Sequence, residues 1–367
     1  MLPARLSCLL LLLVPGLLAA CSAPYRAPVV VRGSAGFPGI AGIVAQSGGR
    51  PVDVLVVHGM CTRDAAWAER KIDSIAGSVE DNAPAPATAA VADGAIEVLE
   101  RTRRLAGGTV RFHALLWSPL TAPFKRQLDY DHRAEANDCA RERECRPRRA
   151  LLNGMAKDWL LDDCLADVVI YQGAAGAAIR AAMADAVMRV LATRPEADGP
   201  LVVVAESLGS KMLFDALSGM LESSRPQARA LGRQAARRLG LLFMAGNQLP
   251  ILGLGEQAPG AGLAAGPGAD ALQRFLALRR RQPDDRAGSF ARLHLVAFND
   301  PNDLLSYRLL PARYAAEDVA VTDVLVSNDA SWFGLIENPV SAHLDYLANP
   351  AVGALLACGH PRAAACP

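Results

Sequence analysis

The chain has 367 residues, 51% of them apolar, and its 38 basic and 37 acidic side chains leave a formal charge of +1. Near-neutrality removes the electrostatic footprint expected of a nucleic-acid binder. The length can bury one large core or two modest ones, and a single α/β domain with insertions fits it.

Residues 1–20 run from one basic side chain, Arg5, through the apolar stretch LLLLLV to small residues, the layout of an export signal that is excluded from the fold. Without Arg5 the basic count falls to 37, level with the acids. The stretch LAAC, Leu18 to Cys21, resembles the lipobox of bacterial lipoproteins, which implies cleavage before Cys21 and a lipid on that cysteine. An ordinary signal peptide with an incidental Cys21 is the alternative. Ser22 after the cysteine, rather than Asp, implies by the same resemblance an outer-membrane anchor facing the periplasm. Residues 21–50, rich in Gly, Ala, Pro and Ser, read as a flexible tether, with the fold beginning near Pro51.

From there short apolar runs recur: VDVLVV (52–57), VRFHALLW (110–117), LVVVA (201–205), LGLLFMA (239–245), LHLVAF (293–298) and VAVTDVLV (319–326). Unbroken apolarity marks strands covered on both faces, as in a parallel sheet. Between them, Ile179, Met183, Val187, Val190 and Leu191 recur at helical spacing within 174–193, and Met212, Leu213, Ala216, Leu217 and Met220 do so within 208–222. Alternating strands and helices predict a doubly wound, mostly parallel α/β sheet.

Two regions interrupt the alternation. Residues 118–165 form a long, charged, Cys-containing insertion, and 246–270 a loop dominated by Gly, Ala and Pro; both have the length of lids or binding loops. Arg279 to Arg281, followed by Asp284 and Asp285, and the segment 131–149, which mixes six Arg with five acids, read as solvated faces.

Apart from Cys8 and Cys21, six cysteines remain: Cys61, Cys139, Cys145, Cys164, Cys358 and Cys366. An even number in an exported chain favours disulfides. Short separations make Cys139–Cys145 and Cys358–Cys366 the default pairs, leaving Cys61 with Cys164, although sequence alone keeps the connectivity open. A zinc site competes, but no CxxC or HxxxH spacing supports it.

The segment LVVVAESLGSKMLFDAL runs from strand into helix with Ser207 at the bend and the small residues Ala205 and Gly209 two positions to either side. It resembles the GxSxG nucleophile elbow of the α/β-hydrolases, with Ala for the first Gly, and implies that fold over roughly 51–357 with Ser207 as nucleophile. From its residue type alone, Ser207 also suits a helix N-cap. A serine hydroxyl needs a histidine to take its proton and an acid to orient that histidine, and the family's order is Ser, acid, His. Asp303, just past LHLVAF and ahead of Leu304 and Leu305, takes the acid's place; Asp300, before Pro301, suits a turn and is the other candidate. The position after the preceding strand holds Gly246, Asn247 and Gln248, with no carboxylate.

His343, in NPVSAHLDYL beyond the last strand, sits where the family's histidine opens the final helix. His113 and His294 lie inside strands, His132 in the insertion and His360 between two cysteines, so His343 remains as the base. In VLVVHGMCT, His58 and Gly59 resemble the family's HG pair, which implies an oxyanion hole from the backbone N–H groups of Met60 and Leu208, with His58 shaping the loop; a plain glycine turn is the alternative.

The resemblance implies hydrolysis of a carboxylic ester, of a small molecule or a lipid, by an esterase- or lipase-like enzyme at the cell envelope, without metal or organic cofactor. Thioesterases, peptidases and acyltransferases share fold and triad, so the substrate class is an analogy. A non-catalytic envelope lipoprotein that keeps the fold for binding competes; Glu206, where the family often has His or Asp, and the insertion favour it. No Walker loop or GxGxxG in a βαβ setting points to a nucleotide.

Overall fold

A computed structural model describes residues 22–23, 26–31, 35–77, 89–91, 95–132, 149–192, 199–257, 268–282, 292–364 and 366. The export signal, Cys21 and the Cys139–Cys145 pair lie outside the described residues.

The architecture is α/β. Among the described residues nine strands form one sheet: β1 Val29–Val30, β2 Val52–Val57, β3 Ala89–Val91, β4 Glu97–Leu105, β5 Gly108–Leu116, β6 Leu201–Glu206, β7 Leu239–Ala245, β8 Leu293–Asn299 and β9 Val319–Leu325. Their order is β1-β9-β8-β7-β6-β2-β5-β4-β3. The six strands from β9 to β5 run parallel, while β1, and β4 with its neighbours β5 and β3, pair antiparallel.

Each unbroken apolar run splits by its period of two between the two sides of this sheet. Leu55, Val57, Val203, Ala205, Leu242, Met244, Leu295 and Ala297 pack on one side against α3 Gly176–Ala192, α4 Ser207–Glu222 and α6 Ala271–Arg280. Val54, Val56, Val202, Val204, Leu241, Phe243, Val296 and Phe298 pack on the other against α1 Gly39–Gln46, α2 Ala65–Ala76 and α8 Pro350–Cys358. Helix α5, Pro226–Arg238, returns the chain from α4 to β7. Both faces are covered, which is why those runs carry no polar alternation.

The tether expectation needs correction. Within 21–50, β1 extends the sheet beside β9, and α1 buries Ile40, Ala41, Ile43 and Val44. Phe37 packs edge-on to Phe243, with ring centroids 5.8 Å apart. The small residues of GIAGIVAQ let α1 lie close to α8: a Cβ on Gly39, whose φ is +61°, would overlap the backbone of Cys358 and Gly359. The fold therefore takes in residues before Pro51: Ser22–Ala23 pair antiparallel with Ser331–Trp332, and β1 and α1 follow.

The insertion is helical where described, with Ser118–Lys125, a 3-10 turn Arg126–Asp131, Leu151–Met155, a wide π-type helix Ala156–Leu165 and Ala166–Gln172. Disulfides join Cys61 to Cys164 and Cys358 to Cys366. Among the described residues no helix is long and apolar enough to cross a membrane.

Candidate functional site

The C-terminal ends of β2, β6, β7 and β8 meet at one edge of the sheet, where functional groups of open α/β sheets collect. Ser207 follows β6 directly and is the first residue of α4, with Glu206 at the N-cap and no side chain capping the helix. Its φ is +50°. A left-handed conformation at a non-glycine residue costs roughly 1–3 kcal/mol and persists only where its surroundings enforce it. Here the enforcement is close packing. A Cβ on Gly209 would stand on the His58 carbonyl oxygen, and one on Gly59 would lie 2.8 Å from the Ser207 Cβ.

This turn carries Ser207 Oγ to 3.1 Å from His343 Nε2. His343 Nδ1 is 2.9 Å from both carboxylate oxygens of Asp303. Asp303 also accepts from the Leu305 N–H at 2.9 Å and from the Tyr346 hydroxyl at 2.9 Å. Burial alone would raise the Asp303 carboxyl, but the His343 hydrogen bond and charge, with these donors, hold it below its ordinary value. Ser207, Asp303 and His343 are all buried.

Asp300 serves elsewhere: its carboxylate accepts from the backbone N–H of Asn302 at 2.9 Å and of Asn328 at 2.7 Å. His343 does not open the final helix as expected. It lies in the last turn of α7, Pro339–Leu344, which ends before Asp345, and α8 starts afresh at Pro350 with Asn349 as its cap. Proline at the first helical position starts a helix readily but cannot continue one.

Leu208 follows Ser207, and Met60 follows Gly59, which packs against Ser207. Leu208 lies in the first turn of α4, whose leading N–H groups have no intrahelical acceptor. His58 is fully buried; its Nδ1 lies 2.8 Å from the Gly59 carbonyl, its Nε2 accepts from the Trp117 N–H at 3.1 Å, and its ring stacks on Trp117 with centroids 4.6 Å apart. Burial pushes its pKa down to about 3, so it stays neutral and braces the loop through both ring nitrogens. Beside Ser207, burial raises the Glu206 carboxyl against the pull of Lys71, Arg63 and His343.

The insertion grips the segment just after Met60. The Cys61 N–H donates to Asp167 Oδ2 at 2.9 Å, and the Thr62 N–H to Asp163 Oδ2 at 3.1 Å. Lys125 Nζ lies 2.7 Å from Asp163 Oδ1 and 3.1 Å from Asp167 Oδ1. Beneath this clamp is an apolar cavity of about 120 Å³ whose walls include Met60, Trp159, Leu160, Leu305, Val340 and His343. Cys61, Asp163 and Cys164 come together there, but the disulfide occupies both sulfurs and leaves them unable to act as thiolate ligands.

Sequence reasoning passed over Gln248, which is buried with its side-chain nitrogen 3.5 Å from His343 Nε2.

The Cys61–Cys164 bond closes a separation of 103 residues. The double variant Cys61→Ala/Cys164→Ala is expected to lose about 2–4 kcal/mol of unfolding free energy in urea titration; an unchanged midpoint would remove the disulfide's structural role. No protein-family model, curated protein or solved structure matches the chain.

Proposed function

We propose that the chain is a serine hydrolase of the α/β-hydrolase type, acting on carboxylic esters with an apolar acyl group. The observation that carries this reading is the continuous relay from Ser207 Oγ through His343 to Asp303, at 3.1 Å and 2.9 Å. It stands on a strand-to-helix turn whose serine has a positive φ.

The chemistry follows from the geometry. Asp303, ionised, accepts from the His343 Nδ1–H and leaves Nε2 as a base facing the Ser207 hydroxyl. As Ser207 Oγ bonds to the ester carbonyl carbon, its proton passes to Nε2. The carbonyl oxygen gains charge at the N-terminus of α4, where the Leu208 N–H and the helix dipole favour an anion, with the Met60 N–H opposite. The protonated imidazole then returns its proton to the departing alkoxide, and water reverses the sequence on the acyl-enzyme.

The cavity beside His343 supports the substrate class. At about 120 Å³ it is well below the roughly 300–1,000 Å³ of sites that enclose a drug-sized ligand. Its lining suits one short apolar limb of a substrate. A peptide or a charged acyl group would lose hydration there without a partner.

Three outcomes test the reading. A fluorophosphonate probe should label the wild type and fail to label Ser207→Ala; a wild type that never reacts, or a variant that still does, sinks the assignment. Asp303→Asn should lower kcat by about 10⁴-fold, as loss of the orienting carboxylate does in serine hydrolases, with Asp300→Asn losing far less; the reverse ranking would make Asp300 the acid. For location, we infer a lipid on Cys21 holding the enzyme at the outer membrane. Cys21→Ser should move the protein from the membrane to the soluble fraction, and an already soluble wild type would exclude the anchor.

A further inference from the structure

Gln248 stands just after β7 and is 3% exposed. Its side-chain nitrogen lies 3.5 Å from His343 Nε2, the atom that faces Ser207 Oγ, while its Oε1 is buried with no hydrogen-bond partner among the described residues. A buried carbonyl oxygen left without a donor is costly, and such groups in a folded protein call for an explanation.

Local structure supplies none. Gln248 is the N-cap of the short helix Leu249–Leu252, yet its side chain makes no capping hydrogen bond. The neighbouring Asn247 does the structural work, donating to the Tyr307 carbonyl at 2.9 Å and accepting from the Leu249 N–H at 3.1 Å. Gly246, with φ at +61°, packs against the His343 and Tyr346 rings and so brings the turn up to the imidazole. The Gln248 amide is thus aimed at the reacting side of the base, away from the fold it belongs to.

Resting on the serine hydrolase reading above, we propose that Gln248 is a further catalytic residue that orients the water which releases the acyl group. In the free enzyme His343 Nε2 is occupied by the Ser207 hydroxyl. Once Ser207 is acylated that hydrogen has left with the alcohol, and Nε2 faces only the Gln248 amide nitrogen at 3.5 Å, a long contact that a water displaces. A water between the two side chains gives one hydrogen to Nε2 and the other to Gln248 Oε1, turning an oxygen lone pair to the acyl carbon. The new C–O bond forms as the proton passes to Nε2. The bond from the acyl carbon to Ser207 Oγ then breaks, and the imidazolium returns its proton to Oγ, leaving a carboxylic acid and the free serine. An amide suits this post better than a carboxylate, because it supplies an acceptor without adding a charge that would compete with Asp303 for the imidazolium.

The role predicts a defect confined to deacylation. With p-nitrophenyl butyrate as probe, Gln248→Leu and the closer isostere Gln248→Met should release p-nitrophenol in the first turnover at nearly the wild-type rate. Steady-state turnover should fall on the order of 100-fold, the scale of a misplaced reactant. Intact mass during turnover should show butyryl-Ser207 accumulating, and hydroxylamine, which attacks without needing its proton taken, should restore turnover. First-turnover and steady-state rates that fall together would overturn the inference, as would an unchanged steady state or no accumulated acyl-enzyme. A wild type that neither reacts with fluorophosphonate nor turns over the ester is a different failure: it removes the hydrolase reading itself, and this role with it.

Discussion

The site depends on how closely two backbones approach at the carboxyl edge of the sheet. The turn after β6 and the loop after β2 touch at Gly209 against the His58 carbonyl and at Gly59 against Ser207, where no Cβ fits. That contact keeps Ser207 at a φ of +50° and lifts its hydroxyl above the sheet instead of letting it cap the helix. It also brings the loop bearing Met60 beside the first turn of α4. The strain of the turn is small beside the packing that enforces it, since β2 and β6 are buried along their whole length.

Those parallel strands were legible because each is covered on both faces, and VDVLVV and LGLLFMA coincide with β2 and β7 to the residue. The hairpin strand β4 was not. EVLERTRRL is mostly charged, and its arginines pair with acids on α2, as Arg101 does with Glu69 and Arg103 with Asp73. Periodicity within one segment cannot anticipate such partners. Helix α1 was missed because Gly and Ala, which signal a tether by composition, here permit close helix packing. In the site, the order Ser207, Asp303, His343 could be read along the chain. The place of His343 in its own short helix, and the approach of Gln248, depend on contacts across 95 residues or more.

The charged insertion illustrates why composition misleads locally. Its acid Asp163 and base Lys125, with Asp167 just past its end, face inward as well as outward: Asp167 is fully buried and Lys125 is 8% exposed. Removing such charges from water is expensive unless they are paired and hydrogen-bonded. Here the backbone N–H groups of Cys61 and Thr62 complete the pairing. The same segment contributes Trp159 and Leu160 to the apolar cavity. One stretch of chain therefore both fixes the loop that carries Met60 and forms a wall beside His343.

Two carboxylates three residues apart divide their chemistry by environment, and Tyr346 stands between them. Its oxygen accepts from the Asp300 N–H at 2.8 Å while its hydroxyl hydrogen goes to Asp303. Asp303 is surrounded by donors, and the His343 hydrogen bond and charge hold its carboxyl below the ordinary value against burial. Asp300 is pushed up, by burial first, and Glu337 likewise by burial and by the facing Asp300. Two carboxyls packed together cannot both ionise freely, which pushes both upward, while the donors around Asp303 pull it the other way. The turn before Pro301 thus confines Asp300 to structure, and the tyrosine couples that turn to the acid which serves His343.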